Sequence, residues 1–207
     1  MICGNVSDTV LQEVSQAFSP MSSNPLPPDK NYTIQPSSPG KYHISKPDAV
    51  QTSIRIGKSG VALLDEDYTY FQLIREEKGY TYGIGSYNVT MPQAAHWMIA
   101  TDVNTEATDA TITECIKEIR RLQEEPVPEE ELSLVKSYFN GELLRELDGV
   151  FSQSDALKHK LNYGLDNTFY LRAIDKIRTC TAEDIMRLAQ KYLNVDDMYI
   201  VTAGKDA

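Results

Sequence analysis

Three histidines, His43, His96 and His159, are the only imidazoles in the sequence, and their spacing limits the metal chemistry it could perform. A catalytic zinc needs three protein ligands converging on one point, commonly two histidines a turn apart on a helix with a carboxylate or third histidine. None of the three has a histidine neighbour within a few residues, so H-E-x-x-H and H-x-x-E-H are both absent and no metal site is expected in this chain. Serine nucleophiles want a G-x-S-x-G elbow, and Gly83-Ile84-Gly85-Ser86-Tyr87 places its serine out of frame. The same string fails as a dinucleotide fingerprint because Asn88 stands where the third glycine belongs, and no phosphate loop occurs. The sequons at Asn5, Asn31 and Asn88 are short enough to arise by chance. Cys3, Cys115 and Cys180 are widely separated and form no C-x-x-C pair, which reads as buried free thiols in a reducing compartment, and a cytoplasmic location is expected.

One segment stands out, Leu73-Ile74-Arg75-Glu76-Glu77-Lys78-Gly79-Tyr80-Thr81-Tyr82-Gly83-Ile84. From its residues alone it reads as a charged helix end, a glycine C-cap at Gly79 and a strand with tyrosines on one face. The elements that would position it follow from periodicity. Val10, Leu11, Val14, Ala17 and Phe18 repeat at helical spacing after Ser7-Asp8. Six of the ten prolines fall in 19–39, where no apolar period survives, so that stretch reads as a linker. Strands are expected over 41–45, 50–56, 80–90 and 94–103, the last two as a hairpin through Met91-Pro92-Gln93. Beyond Asn104 the period becomes helical. Ile112, Ile116 and Ile119 line one helix, and Leu132, Val135, Phe139, Leu143 and Leu147 a second that opens after Pro128 with three glutamates. Shorter helices are expected over 154–163 and 168–177, and Thr181-Ala182-Glu183-Asp184 is a capping-box start for one reaching Tyr192, before a last strand at 198–202.

Strands, then helices, then a final strand make an α+β domain, with helices segregated on one face of a mainly antiparallel sheet. The composition fits a folded globular chain: 207 residues, 41% hydrophobic and 24% charged. A net charge of -10 repels phosphate backbones and argues against nucleic acid. No apolar run approaches the roughly 18 residues of a membrane span, and the N-terminus shows no basic region followed by an apolar stretch.

The segment around Arg75 resembles the hallmark of the second domain of pitrilysin/insulinase peptidases, in which an arginine precedes E-x-K-G and a tyrosine follows seven residues later; Arg75 and Tyr82 have that spacing. The opening Gly4-Asn5-Val6-Ser7 is similar to the end of that family's first domain, and Pro128-Glu129-Glu130-Glu131-Leu132 with Lys136 to one of its helices. The resemblance extends to bacterial proteins like the mitochondrial processing peptidase. It implies residues 1–18 as the end of a preceding catalytic-type domain, 19–39 as a Pro/Ser-rich linker and 40–207 as a C-terminal substrate-binding peptidase domain. The zinc, on an inverted H-x-x-E-H site, would lie in an upstream domain or a partner, so this chain alone is expected to be inactive while its parent is a zinc metallopeptidase. Tyr82 would donate to the developing oxyanion, and Arg75 would bind a substrate backbone carbonyl or help hold that geometry. Arginine offers a rigid charged fork for that task, and a neutral phenol donates without adding charge.

The implied partners are a peptide substrate and a zinc-bearing N-terminal domain or subunit, with homo-oligomerisation left open. The alternatives are a non-catalytic partner subunit or peptide-binding module of a two-chain peptidase, and an unrelated α+β scaffold. One departure stands out. The family places a helix and a glycine-rich turn between the strand ending near Leu64 and the arginine, and here Asp67 reaches Arg75 in eight steps. Deleting a helix that covers a sheet would bare apolar surface, so a break in the backbone between residues 68 and 75 is expected instead.

Overall fold

Alternation sets the sheet. In Thr52-Ser53-Ile54-Arg55-Ile56 every second side chain is buried, and Trp97, Ile99, Thr101 and Val103 repeat the pattern on the neighbouring strand. The computed structural model describes residues 2–21, 25, 37–74, 83–91 and 94–206. Its strands are β1 (Gly40–Ser45), β2 (Gln51–Ser59), β3 (Gly85–Met91), β4 (Ala94–Asn104) and β5 (Tyr199–Gly204). They form a sheet in the order β1-β5-β2-β4-β3. β2–β4, β2–β5 and β3–β4 pair antiparallel, and β1 runs parallel to β5. The helices are α1 (Asp8–Phe18), α2 (Tyr68–Gln72), α3 (Thr108–Glu124), α4 (Glu129–Glu146), α5 (Val150–Tyr163), α6 (Phe169–Thr179) and α7 (Ala182–Tyr192).

The chain divides into two compact units, Met1–Gln35 with Glu142–Asn167, and Pro36–Gly141 with Thr168–Ala207. The second holds the whole sheet. Its core lies on one sheet face, where α3 packs against β2 and β4, and α7 packs against α3. Ile112, Cys115 and Ile119 of α3 and Ile185, Leu188 and Ala189 of α7 are buried there with Ile54, Ile56 and Ile99. On the opposite face Arg55, Tyr87 and Tyr42 are exposed and Met98 and Ala100 half-exposed. Helices on one face of a mainly antiparallel sheet are therefore the α+β arrangement read from the sequence.

The capping box of α7 forms as its residues imply: the Thr181 side chain accepts from the Asp184 N–H at 3.2 Å while the Asp184 carboxylate accepts from the Thr181 N–H at 3.1 Å. Gln123 joins α3 to the end of α7, its amide donating to the Leu193 and Ala189 carbonyls at 3.1 and 3.3 Å. The long stripe expected on α4 is weaker than its spacing suggests. Leu132 is buried, whereas Val135, Phe139 and Leu143 are only half-buried, because the division between units falls within α4 after Gly141.

The stretch in which a backbone break is expected is described only as far as Ile74. Residues 67–74 form a continuous turn in which Phe71, Leu73 and Ile74 donate to the carbonyls of Asp67, Tyr70 and Phe71 at 2.8, 3.0 and 3.1 Å. Phe71, Leu73 and Ile74 are buried, so the short connection itself covers apolar surface, and α2 packs against α6 and α7.

In the first unit α1 opens with the Ser7 side chain accepting from the Val10 N–H at 3.4 Å. No residue of α1 is buried. α5 starts at Val150, four residues before the expected position, and ends at Gly164, whose φ of +64° is the left-handed conformation that glycine adopts without strain. The Lys160 ammonium donates to Asn167 at 2.6 Å just beyond that end.

Candidate substrate-binding site

Arg75 and Tyr82, the two side chains singled out by the sequence, both lie outside the described residues, as do Gly79 and the start of the strand expected from Tyr80. What the structure describes is the footing on either side of them. On the N-terminal side is Asp67, whose side chain is only 6% exposed. Its carboxylate accepts from the Lys191 ammonium at 2.8 Å, the Tyr192 hydroxyl at 3.0 Å and the Arg187 guanidinium at 3.4 Å, all on α7. Burial pushes the Asp67 carboxyl up, yet the hydrogen bonds from Lys191 and Tyr192 and the charges of Lys191 and Arg187 outweigh it, and it titrates below the usual carboxylate range. The same contacts, foremost the hydrogen bond to Asp67, raise Lys191. Lys176 of α6 also donates to the Glu66 carbonyl, and the Phe71 ring meets Tyr192 edge-on with centroids 5.4 Å apart.

On the C-terminal side the chain re-enters through Gly83, with φ +128°, a value that disfavours any side chain. Ser86 of β3, 5% exposed, donates to the Ile74 carbonyl at 3.2 Å. That bond ties the residue before Arg75 to the strand that follows Tyr82. Asn88 extends the tie, donating to the Val61 carbonyl at 3.0 Å and accepting from the Val61 N–H at 3.2 Å. The two ends of 75–82 are thus held by backbone-directed hydrogen bonds on one side and a multiply bonded buried carboxylate on the other.

The histidines do not gather. His43 on β1 has both ring nitrogens engaged, Nδ1 with Thr202 at 2.8 Å and Nε2 with Asp206 at 3.1 Å. The sheet register puts His96 of β4 on the face opposite His43, and His159 belongs to the other unit, against Tyr163. Among the described residues no three His, Cys, Asp or Glu side chains could hold a metal ion. Zinc therefore does not fit the residues described. Beside His43 a cleft of about 520 Å³ carries Lys41 and Lys205 together with Glu106, Asp109 and Asp206, so its walls offer no single sign of charge. No helix among the described residues is long and apolar enough to cross a membrane. Of the cysteines, all expected to be buried, Cys115 and Cys180 are buried but Cys3, near the start of the chain, is exposed; burial, then the Asp184 carboxylate, pushes the Cys180 thiol up to about 11, far from a reactive thiolate.

Residues 67–139 match the family model described as the peptidase M16 inactive domain. That stretch of the chain is similar to the peptidase M16 inactive domain. The resemblance to pitrilysin/insulinase peptidases is upheld by this match, which begins at Asp67 and includes both Arg75 and Tyr82. The fold of this chain recurs in solved structures of low identity. A peptidase M16 inactive domain from Pseudomonas fluorescens aligns with a TM-score of 0.78 and 22% identity over 99% of this chain and 53% of that one. A protease from Helicobacter pylori gives 0.79 and 14% over 97% and 54%. A chain of complex III2 from Candida albicans gives 0.72 and 15% over 97% and 53%. This chain thus spans about half the length of these structures. Comparison with curated protein sequences gives no match.

Sequence reasoning missed the Asp67 cluster. Its partners are more than a hundred residues away in the chain, and Asp65-Glu66-Asp67 looks like any solvated acidic turn. The signal available in hindsight is the aromatic run Tyr68 to Phe71 directly after it, which needs a buried neighbour.

Proposed function

We propose that this chain is the substrate-binding half of a zinc-dependent metalloendopeptidase that hydrolyses peptides. The observation that carries this reading is the M16 match over 67–139, which contains Arg75 and Tyr82 at the family's spacing. In it Arg75 binds a substrate backbone carbonyl, and Tyr82 donates a hydrogen bond to the oxyanion that develops as the scissile carbonyl is attacked. The tie from Ser86 to Ile74 and the Asp67 cluster support the reading, because a donor contributes to catalysis only when its position is fixed beforehand. Zinc, which supplies a Lewis acid and an activated water when bound, belongs to a preceding domain or a partner subunit, and this half is inactive by itself. The compartment we propose is the cytoplasm.

A second reading, a non-catalytic subunit of a larger assembly, is favoured by the similarity to a chain of complex III2. Two experiments separate them. Sequencing the parent gene for about 200 codons upstream, the length of one domain, should reveal H-x-x-E-H; a natural start with no such motif supports the subunit reading. In the complete protein, Arg75→Ala should raise KM for a peptide by about tenfold or more, as loss of a charged hydrogen bond does. An unchanged KM would remove Arg75 from the substrate.

A further inference from the structure

A hydroxyl, an imidazole and a carboxylate stand in line at the β1 edge of the sheet. The parallel pairing of β1 with β5 sets His43 directly beside Thr202, and Thr202 Oγ1 lies 2.8 Å from His43 Nδ1. The other ring nitrogen, Nε2, meets the Asp206 carboxylate at 3.1 Å, and that carboxylate also accepts from the Ser45 hydroxyl at 2.8 Å. An ionised carboxylate only accepts, so a neutral His43 carries its proton on Nε2 and turns the lone pair of Nδ1 toward Thr202. The Thr202 hydroxyl also lies 3.4 Å from the Tyr42 carbonyl, the longer of its two contacts. A nucleophile within about 3.2 Å of a base, with the base oriented by a third group, is the arrangement that activates a hydroxyl. Thr202, His43 and Asp206 all line the cleft of about 520 Å³, a size that admits a small ligand. Lys41 lines it too, two residues before His43 on β1, so both side chains share one sheet face.

We propose that Thr202 and His43 form a second site, one that hydrolyses short carboxylic esters. The Thr202 oxygen attacks the acyl carbonyl as His43 Nδ1 takes its proton; the C–O bond to the alcohol breaks, and the alcohol leaves with that proton. Water, deprotonated by the same nitrogen, then attacks the threonyl ester, releasing the acid and returning the proton to Thr202 Oγ1. Asp206 and Ser45 are positioning residues. The carboxylate fixes the tautomer and steadies the imidazolium that forms in each half, and Ser45 fixes the carboxylate. Lys41 is the cation assigned to the developing oxyanion. One flexible ammonium in place of a preorganised pair of donors restricts the site to esters, whose leaving group departs more easily than an amine. Thr202 itself is held on a rigid element, because β5 is hydrogen-bonded to β1 on one side and β2 on the other. The site shares no residue with 75–82 and stands apart from the substrate-binding reading.

The test is hydrolysis of p-nitrophenyl acetate by the 207-residue chain with a chelator present. Turnover should saturate, and mass analysis after a brief reaction should place an acetyl group on Thr202. Thr202→Val, which keeps the β-branch, and His43→Gln should each lower kcat about a hundredfold. Thr202→Ser keeps a hydroxyl in the same place and should retain activity, with the acetyl group on residue 202. Asp206→Asn should lower kcat by about tenfold or more with KM unchanged, because the amide can donate to the ring and hold the wrong tautomer. Hydrolysis by Thr202→Val at the wild-type rate overturns the site, and so does an acetyl group found on Lys41, Lys205 or His43 instead of Thr202. A chain with no saturable turnover overturns it as well, since His43 and Asp206 then only fasten the end of β5 to β1.

Discussion

Asp67 and Trp97 are both buried side chains carrying polar atoms, and their surroundings are opposite. Asp67 accepts from three donors on α7; Trp97 has a donor with no acceptor among the described residues. A saturated buried carboxylate is a fastener, since nothing further can bind it without displacing a partner. The contrast separates a buried polar group that fastens this part of the fold from one that does not.

The contrast breaks most visibly at Asp67. Asp67→Ala removes charge-assisted bonds from Lys191 and Arg187 and the one from Tyr192, and should destabilise the domain by about 3 kcal/mol in denaturant unfolding. The figure stays modest because the Lys191 and Arg187 side chains are about half exposed and regain water. Titration sharpens it. Asp67 is lowered from 3.8 by folding, so its contribution is complete above pH 3.8 and is lost as pH falls through its folded value. Lys191 is raised from 10.5, so its share is complete below pH 10.5 and lost as pH rises through its folded value. The stability gap between wild type and Asp67→Asn should therefore narrow in acid; a gap unchanged down to pH 2 would contradict the cluster.

Ser86→Ala is the next step down. It removes the tie to the Ile74 carbonyl and should cost about 1 kcal/mol in the same assay. A neutral result there would mean that the two ends of 75–82 are held by the backbone alone. As a control, Asp175→Ala removes an exposed i,i+3 pair with Arg178 and should change stability by less than about 0.5 kcal/mol.

Much of this architecture is written locally. The helical period of α3, the strand runs that form β2 and β4 and the Thr181–Asp184 box are local statements about burial and hydrogen bonding, and each forms as read. What was not legible depends on distant partners. The parallel pairing of β1 with β5 joins Gly40 to Tyr199, and no turn or period announces it. α2 is five residues rich in tyrosine, threonine and phenylalanine, too short for a helical period and biased toward strand by composition. It is held by α6 and α7, which begin about a hundred residues later. The candidate site was legible only through the spacing of Arg75 and Tyr82; the Asp67 cluster required the fold to bring its members together.

The most direct test of the central claim is the turnover of Tyr82→Phe in the complete two-half protein at saturating peptide. Loss of one oxyanion donor should lower kcat by about a hundredfold, on the order of 3 kcal/mol, with KM nearly unchanged. A kcat within a few-fold of the wild type would show that Tyr82 does not stabilise the transition state and would contradict the account.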